Sequence, residues 1–178
     1  TFGNLIWGAW GTLGPVVADR DLGGAGAWGA VLAAMGVGML AGSLIAVRID
    51  PRRPLLFAGL VDGLLFLPLA CLAALPPVPV IALGALIGGA GMSLAIAVWE
   101  STLQRRVPGE ALSRVSSYDW FASLAFYPFG LAIWGPIATA IGTSSALWVA
   151  FGLAVASTLV LISVPDVRRL PGGPVLAS

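Results

Sequence analysis

Histidine and lysine are both missing from this 178-residue chain, and cysteine occurs once, at Cys71. Without histidine and with a single thiol, histidine–cysteine metal sites are excluded and no internal disulfide can form. Cys71 lies in an apolar run, the setting of an inert buried thiol rather than a reactive one. Charge is scarce as well: 10% of residues are charged and the formal net charge is +1. Soluble domains carry roughly a quarter charged residues, so there are too few here to cover a surface in water. A net charge so close to zero also gives no basic face for nucleic acid. Serines have no histidine base, no paired carboxylates share a helical face, and no phosphate-binding loop pattern occurs. The expectation is therefore a protein that is not an enzyme and that holds no metal or cofactor.

What the chain does contain is apolar surface: 58% hydrophobic residues and a mean hydropathy of +0.98. Its solvent is expected to be lipid. A bilayer core of about 30 Å takes about 20 apolar helical residues. Uncharged runs near that length occur at 2–18, 22–47, 80–99 and 120–165, and at 54–75 with Asp62 as the one interruption. The run 120–165 is too long for one crossing, and Gly142-Thr143-Ser144-Ser145 divides it with helix-capping residues. Pro76, Pro77 and Pro79 separate the third and fourth runs. The expected fold is an all-α polytopic membrane protein of six spans, about 2–18, 25–47, 54–75, 79–102, 115–141 and 145–164. Together they form one bundle over 1–169, with a cytoplasmic tail at 170–178.

Arginine placement tests the count separately. Cytoplasmic loops carry excess basic residues. Arg48, Arg52 and Arg53 lie between spans two and three, Arg105, Arg106 and Arg114 between spans four and five, and Arg168 and Arg169 after span six. Only Arg20 falls on the other side. Six spans with both ends cytoplasmic give this division, and the plasma membrane is the expected location. The chain opens at Thr1 already inside an apolar run, with no charged segment or cleavage site before it. That run does not read as a signal peptide, and the chain is expected to be a piece of a longer protein.

Small residues recur where helices would have to approach closely. Gly38 and Gly42 on span two, and Gly84 and Gly88 on span four, have GxxxG spacing, with Gly91 and Ala95 on a neighbouring line; Gly8, Gly11 and Gly14 step along span one. Spans three and six are bulkier, with Leu64, Leu65, Phe66, Leu67 and Leu69 in one and Leu159 to Ile162 in the other. They are expected to face lipid. In span five, Pro128 and Gly130, then Gly135 and Pro136, each provide a point where a helix can kink. Such a helix serves either a moving transporter or a fixed bend.

Ionisable groups at membrane depth are functional candidates by default. Asp62 lies about seven residues into span three, roughly 10 Å from its end, as a proton-coupling carboxylate or a packing group. Glu100 and Asp119 sit at interface depth near Arg48, Arg52, Arg53, Arg105 and Arg114, where they would form either a cytoplasmic charge latch or a structural anchor. The seven tryptophans mostly fall near span ends, as an interfacial belt requires. Trp7 and Trp10 lie deeper and share a face with Asn4. With Gly91 and Tyr127 they are the candidates for a substrate path.

Several stretches resemble the second half of a known family. Gly14-Pro15-Val16-Val17-Ala18, Leu22-Gly23-Gly24, Trp28-Gly29, Gly36-Val37-Gly38 and Gly42 are similar to the seventh and eighth helices of drug- and siderophore-exporter-like members of the major facilitator superfamily. Arg48-Ile49-Asp50-Pro51-Arg52-Arg53-Pro54 resembles the arginine-rich loop that follows, with Ala46 near the place where that motif has aspartate. Gln104 to Glu110 and Ser113 to Ser117 resemble the loop between helices ten and eleven, and Gly130 to Pro136 a counterpart of the glycine–proline antiporter motif. The likeness runs over about residues 3–169. It implies helices seven to twelve of a twelve-helix secondary transporter whose missing N-terminal six-helix half completes a midplane substrate site. It also implies proton-driven efflux of a small molecule by alternating access, with spans one, two, four and five at the cavity. The alternative is a self-contained six-span carrier or scaffold that homodimerises.

Overall fold

The computed structural model describes residues 1–170, so residues 171–178 of the expected tail lie outside the described residues. Every regular element among the described residues is helical. The chain runs α1 Phe2–Asp21, α2 Ala25–Ala46, α3 Pro54–Asp62, a 3₁₀ turn Gly63–Phe66, α4 Leu67–Ala74, α5 Val78–Arg106, α6 Gly109–Ala125, α7 Tyr127–Ile141, α8 Thr143–Ser163 and α9 Pro165–Arg169. Glycines at positive φ make the tight corners. Gly23 and Gly24, at 90° and 88°, join α1 to α2, and Gly142, at 89°, is the whole connection between α7 and α8.

Five stretches are long and apolar enough to cross a membrane: Ala25–Ala46, Pro54–Ala74, Val78–Arg106, Gly109–Ile141 and Thr143–Ser163. The protein is thus an all-α, membrane-embedded bundle. The sixth expected span, α1, has the length, at 20 residues, but is not among them. Asn4, Thr12, its glycines and the terminal Asp19-Arg20-Asp21 dilute its apolar character. Its surroundings explain why it can be more polar. Ile6, Ala9, Trp10, Leu13 and Val17 are buried, and α1 packs against α7, α8, α2 and α4 inside the bundle.

Close packing of small residues organises the rest. The most extensive contact is α2 against α5, and there a β-carbon on Gly38 would overlap the Leu86 carbonyl, one on Gly42 the Ala90 carbonyl, and one on Gly89 the Met35 carbonyl. Backbone meets backbone, which in lipid replaces the hydrophobic drive available in water. Between α1 and α7, Gly8 and Gly130 meet in the same way. Two hydrogen bonds flank that contact: Thr12 Oγ1 donates to the Leu131 carbonyl at 2.9 Å and Trp134 Nε1 to the Leu5 carbonyl at 2.9 Å.

Span three departs from its expected place. Leu65, Phe66, Leu69 and Leu72 belong to the buried core, and the α3–α4 stretch packs on α5 and α8. Of its bulky residues, Leu60 and Leu64 remain outside. Bulk fills a bundle interior as well as it faces lipid, and this span also carries Pro68 in its middle. Without an N–H it cannot bond the Leu64 carbonyl, so the helix tightens into the 3₁₀ turn 63–66 and redirects its side chains. On α8, Leu159, Val160 and Leu161 are exposed as expected.

Candidate functional site

The basic end of the bundle is built from the sequence outward. α2 closes with the Arg48 N–H bonded to the Ile45 carbonyl, and the loop 47–53 carries Arg48, Arg52 and Arg53 past the start of α3. α5 continues to Arg106, placing Arg105 beside that loop. Arg105 Nη1 donates to Asp50 Oδ1 at 2.9 Å, with the two side chains 50% and 71% exposed. The ion pair joining the 47–53 loop to the end of α5 therefore involves Asp50, which was not among the sequence candidates. At such exposure a pair of this kind contributes about 0–1 kcal/mol, so it is easily opened. Asp50 and Arg105 border a cavity of about 290 Å³ between the ends of α2 and α5, with Ser43, Pro54, Ser101 and Thr102 among its walls.

The other latch candidates do not join this ion pair. Asp119 accepts the indole N–H of Trp99 at 3.0 Å, which ties α6 to α5. Glu100 is half-buried beside Trp99, and Arg52, Arg53 and Arg114 are exposed. Arg168 Nε donates to the Ile162 carbonyl, so the last helical turn folds back on the end of α8. Of the cluster expected around Glu100 and Asp119, the structure brings Arg105 into an ion pair with Asp50 and gives Asp119 an indole partner.

Asp62 ends α3 where the 3₁₀ turn begins. It is half-buried and lines a second cavity of about 250 Å³, shared with Gly59 on its own helix, Ala95 and Trp99 on α5, and Leu161 on α8. The walls are apolar apart from the Asp62 carboxylate and the Trp99 indole. No hydrogen bond or ion pair to Asp62 occurs among the described residues.

The candidate substrate-path residues on α1 are largely packed. Trp7 stacks on Trp10 at 5.4 Å and meets Phe66 edge-on at 6.3 Å; Trp10 continues to Trp28 at 4.7 Å. Trp10 is buried and Trp7 and Asn4 are half-buried. Gly91 lies against the Val61 carbonyl and Leu64 of the α3 region, where a β-carbon would overlap. The Tyr127 hydroxyl faces Gly11, 2.9 Å from where a β-carbon there would stand. The two cavities are lined by other residues.

Of the kink candidates, Pro128 coincides with a one-residue interruption at Phe126, whose backbone stays in the right-handed helical region at φ −91° and ψ −13°. Phe126 separates α6 from α7, and the next helix opens at Tyr127-Pro128. Gly130, Gly135 and Pro136 lie within the unbroken α7, with Gly130 serving the α1 contact. Gly135 and Pro136 do not interrupt that helix. α6 itself has no buried residue, and Tyr118, Trp120, Phe121 and Leu124 are exposed.

Pairs such as Trp134 with the Leu5 carbonyl, or Trp99 with Asp119, escape a sequence reading because their partners are 129 and 20 residues apart. A tryptophan away from a span end was the available signal for the first. Among the described residues no group of histidine, cysteine or carboxylates is placed to hold a metal. No protein-family model, curated protein or solved structure matches the chain.

Proposed function

We propose that this chain is one six-helix half of a secondary active transporter of the major facilitator type, working by alternating access and exporting a small molecule in exchange for protons. The observation that carries the reading is the Gly109–Ile141 span: a one-residue interruption at Phe126 ahead of Pro128, preceded by a helix, α6, with no buried residue. Loose packing on one side of an interruption and glycine-locked packing on the other is what a helix needs to swing at one end. The weak, exposed Arg105–Asp50 pair is a contact that opens and closes at small cost.

The partner in this reading is a second six-helix bundle. It would cover the outer face of α2, where Gly26, Gly29 and Gly36 have nothing within 4 Å of an added β-carbon, and the exposed side of α6. The membrane is the plasma membrane and the arginine-rich end faces the cytoplasm, following the positive-inside rule. A homodimerising six-span carrier draws on the same open α2 face. A molecular mass in detergent equal to two copies of the chain favours it over the twelve-helix reading.

The test is efflux from cells expressing the protein, with a panel of antibiotics, siderophores and dyes, with and without a protonophore. Protonophore-sensitive export of a panel member supports the reading and names the substrate class. Export that persists at full rate without a proton gradient refutes proton exchange.

A further inference from the structure

We propose that the cavity at Asp62 and Trp99 is a binding site for a small organic cation carrying a quaternary ammonium group. It lies between α3, α5 and α8, of which only α5 is among the spans that the transport reading puts at its substrate cavity, and its test does not depend on that reading.

Two observations favour a cation. The first is a carboxylate with no hydrogen-bond or ion-pair partner, in walls that are alkyl apart from Trp99, Ala95 and Leu161 among them; the charged group that acts on it, the Thr1 α-amino group, is too far away to pair. At membrane depth such a group is costly unless something compensates it, and such groups mark ligand counter-ions, relays or ion paths. The second is Trp99, which borders the same cavity. Its N–H is directed to Asp119 at 3.0 Å, which fixes the ring. An indole face is the strongest aromatic partner for an ammonium that keeps no N–H of its own.

Size narrows the ligand further. A volume of about 250 Å³ falls just below the roughly 300–1,000 Å³ of sites for drug-sized molecules. A ligand with one aromatic ring and a trimethylammonium head suits it. Gly59 helps keep the walls open, for a β-carbon there would stand 3.1 Å from Leu161 Cδ2.

The test is equilibrium binding of radiolabelled benzyltrimethylammonium to the purified protein in dodecyl maltoside, a detergent without an ammonium group. This probe keeps its charge at every pH, so proton uptake by the ligand plays no part. Saturable binding is expected in the unsubstituted protein, at least about tenfold weaker in Asp62→Asn, and several-fold weaker in Trp99→Leu. Leu161→Trp, which fills the cavity from α8 and leaves the carboxylate in place, is expected to abolish it. Neopentylbenzene has the same shape without the charge and is expected to displace the label at least about tenfold less well than the unlabelled cation. The size-exclusion profile identifies a variant that has lost its fold, and the remaining variant and the neutral competitor then decide. No saturable binding, equal binding by Asp62→Asn, or equal displacement by neopentylbenzene overturns the assignment, whatever the outcome of the efflux assay.

Discussion

Replacing Gly38 by alanine adds one methyl group where α2 meets α5, and replacing Gly36 adds the same group two residues away. The β-carbon at position 38 would overlap the Leu86 carbonyl oxygen, whereas the one at position 36 has nothing within 4 Å. Both substitutions gain the same benefit from removing a glycine inside a helix, about 0.5–1 kcal/mol. That benefit cancels in the comparison and leaves the overpacking term alone, about 1–3 kcal/mol. Because the blocking atom is backbone on a 29-residue helix, it cannot rotate away as a side-chain tip could, and the helices must part. Separation also removes the neighbouring contacts of Gly42 with Ala90 and of Gly89 with Met35, which places the effect toward the upper end. At about 2–4 °C per kcal/mol for a chain of this size, Gly38→Ala should melt well below Gly36→Ala in detergent. Gly36→Ala should match or slightly exceed the unsubstituted protein. Equal melting temperatures for the two variants would refute backbone contact as the basis of the α2–α5 interface.

Other substitutions test separate contacts. Thr12→Val keeps shape but removes the donor to the Leu131 carbonyl, and should lower stability by about 0.5–1.5 kcal/mol in chemical unfolding; Thr12→Ser should recover most of the loss. A double-mutant cycle on Arg105→Ala and Asp50→Ala should give a coupling below about 1 kcal/mol that falls further in added salt; a salt-independent coupling of several kcal/mol would contradict the exposed pair. Pro128→Ala restores an N–H opposite the Leu124 carbonyl and should join α6 to α7. Slower amide exchange around 126–130 should follow, with slower export if that interruption is where the helix moves.

Much of the architecture was legible because its signals are local. The proline cluster 76–79 and the Gly142-Thr143 corner mark helix ends by removing donors or admitting positive φ, and both hold. The helical class followed from apolar runs too long and too uncharged for anything but lipid. The 3₁₀ turn at 63–66 was not legible, since the hydrophobic run continues unbroken through it and only Pro68 hints at the lost hydrogen bond. Bulk alone could not say whether span three faced lipid or core, because both environments accept leucine and phenylalanine. At the candidate site, residue types were readable but partners were not. Asp50 sits within an arginine-rich loop and looks like one more solvated charge until α5 proves long enough to bring Arg105 against it. The Asp62 cavity needs three helices from across the chain, and no spacing in the sequence encodes their meeting.

Which side of the membrane each loop faces is the most direct measurement. With Cys71 replaced by serine, single cysteines placed at Phe2, Gly23, Arg52, Val78, Ser113 and Gly142 can be labelled with a membrane-impermeant maleimide in intact and permeabilised cells. Positions 23, 78 and 142 should react in intact cells, and positions 2, 52 and 113 only after permeabilisation. Positions 2 and 23 decide whether α1 is the sixth crossing. Labelling of both from the same side would contradict the six-span topology, and with it the proposed half-transporter.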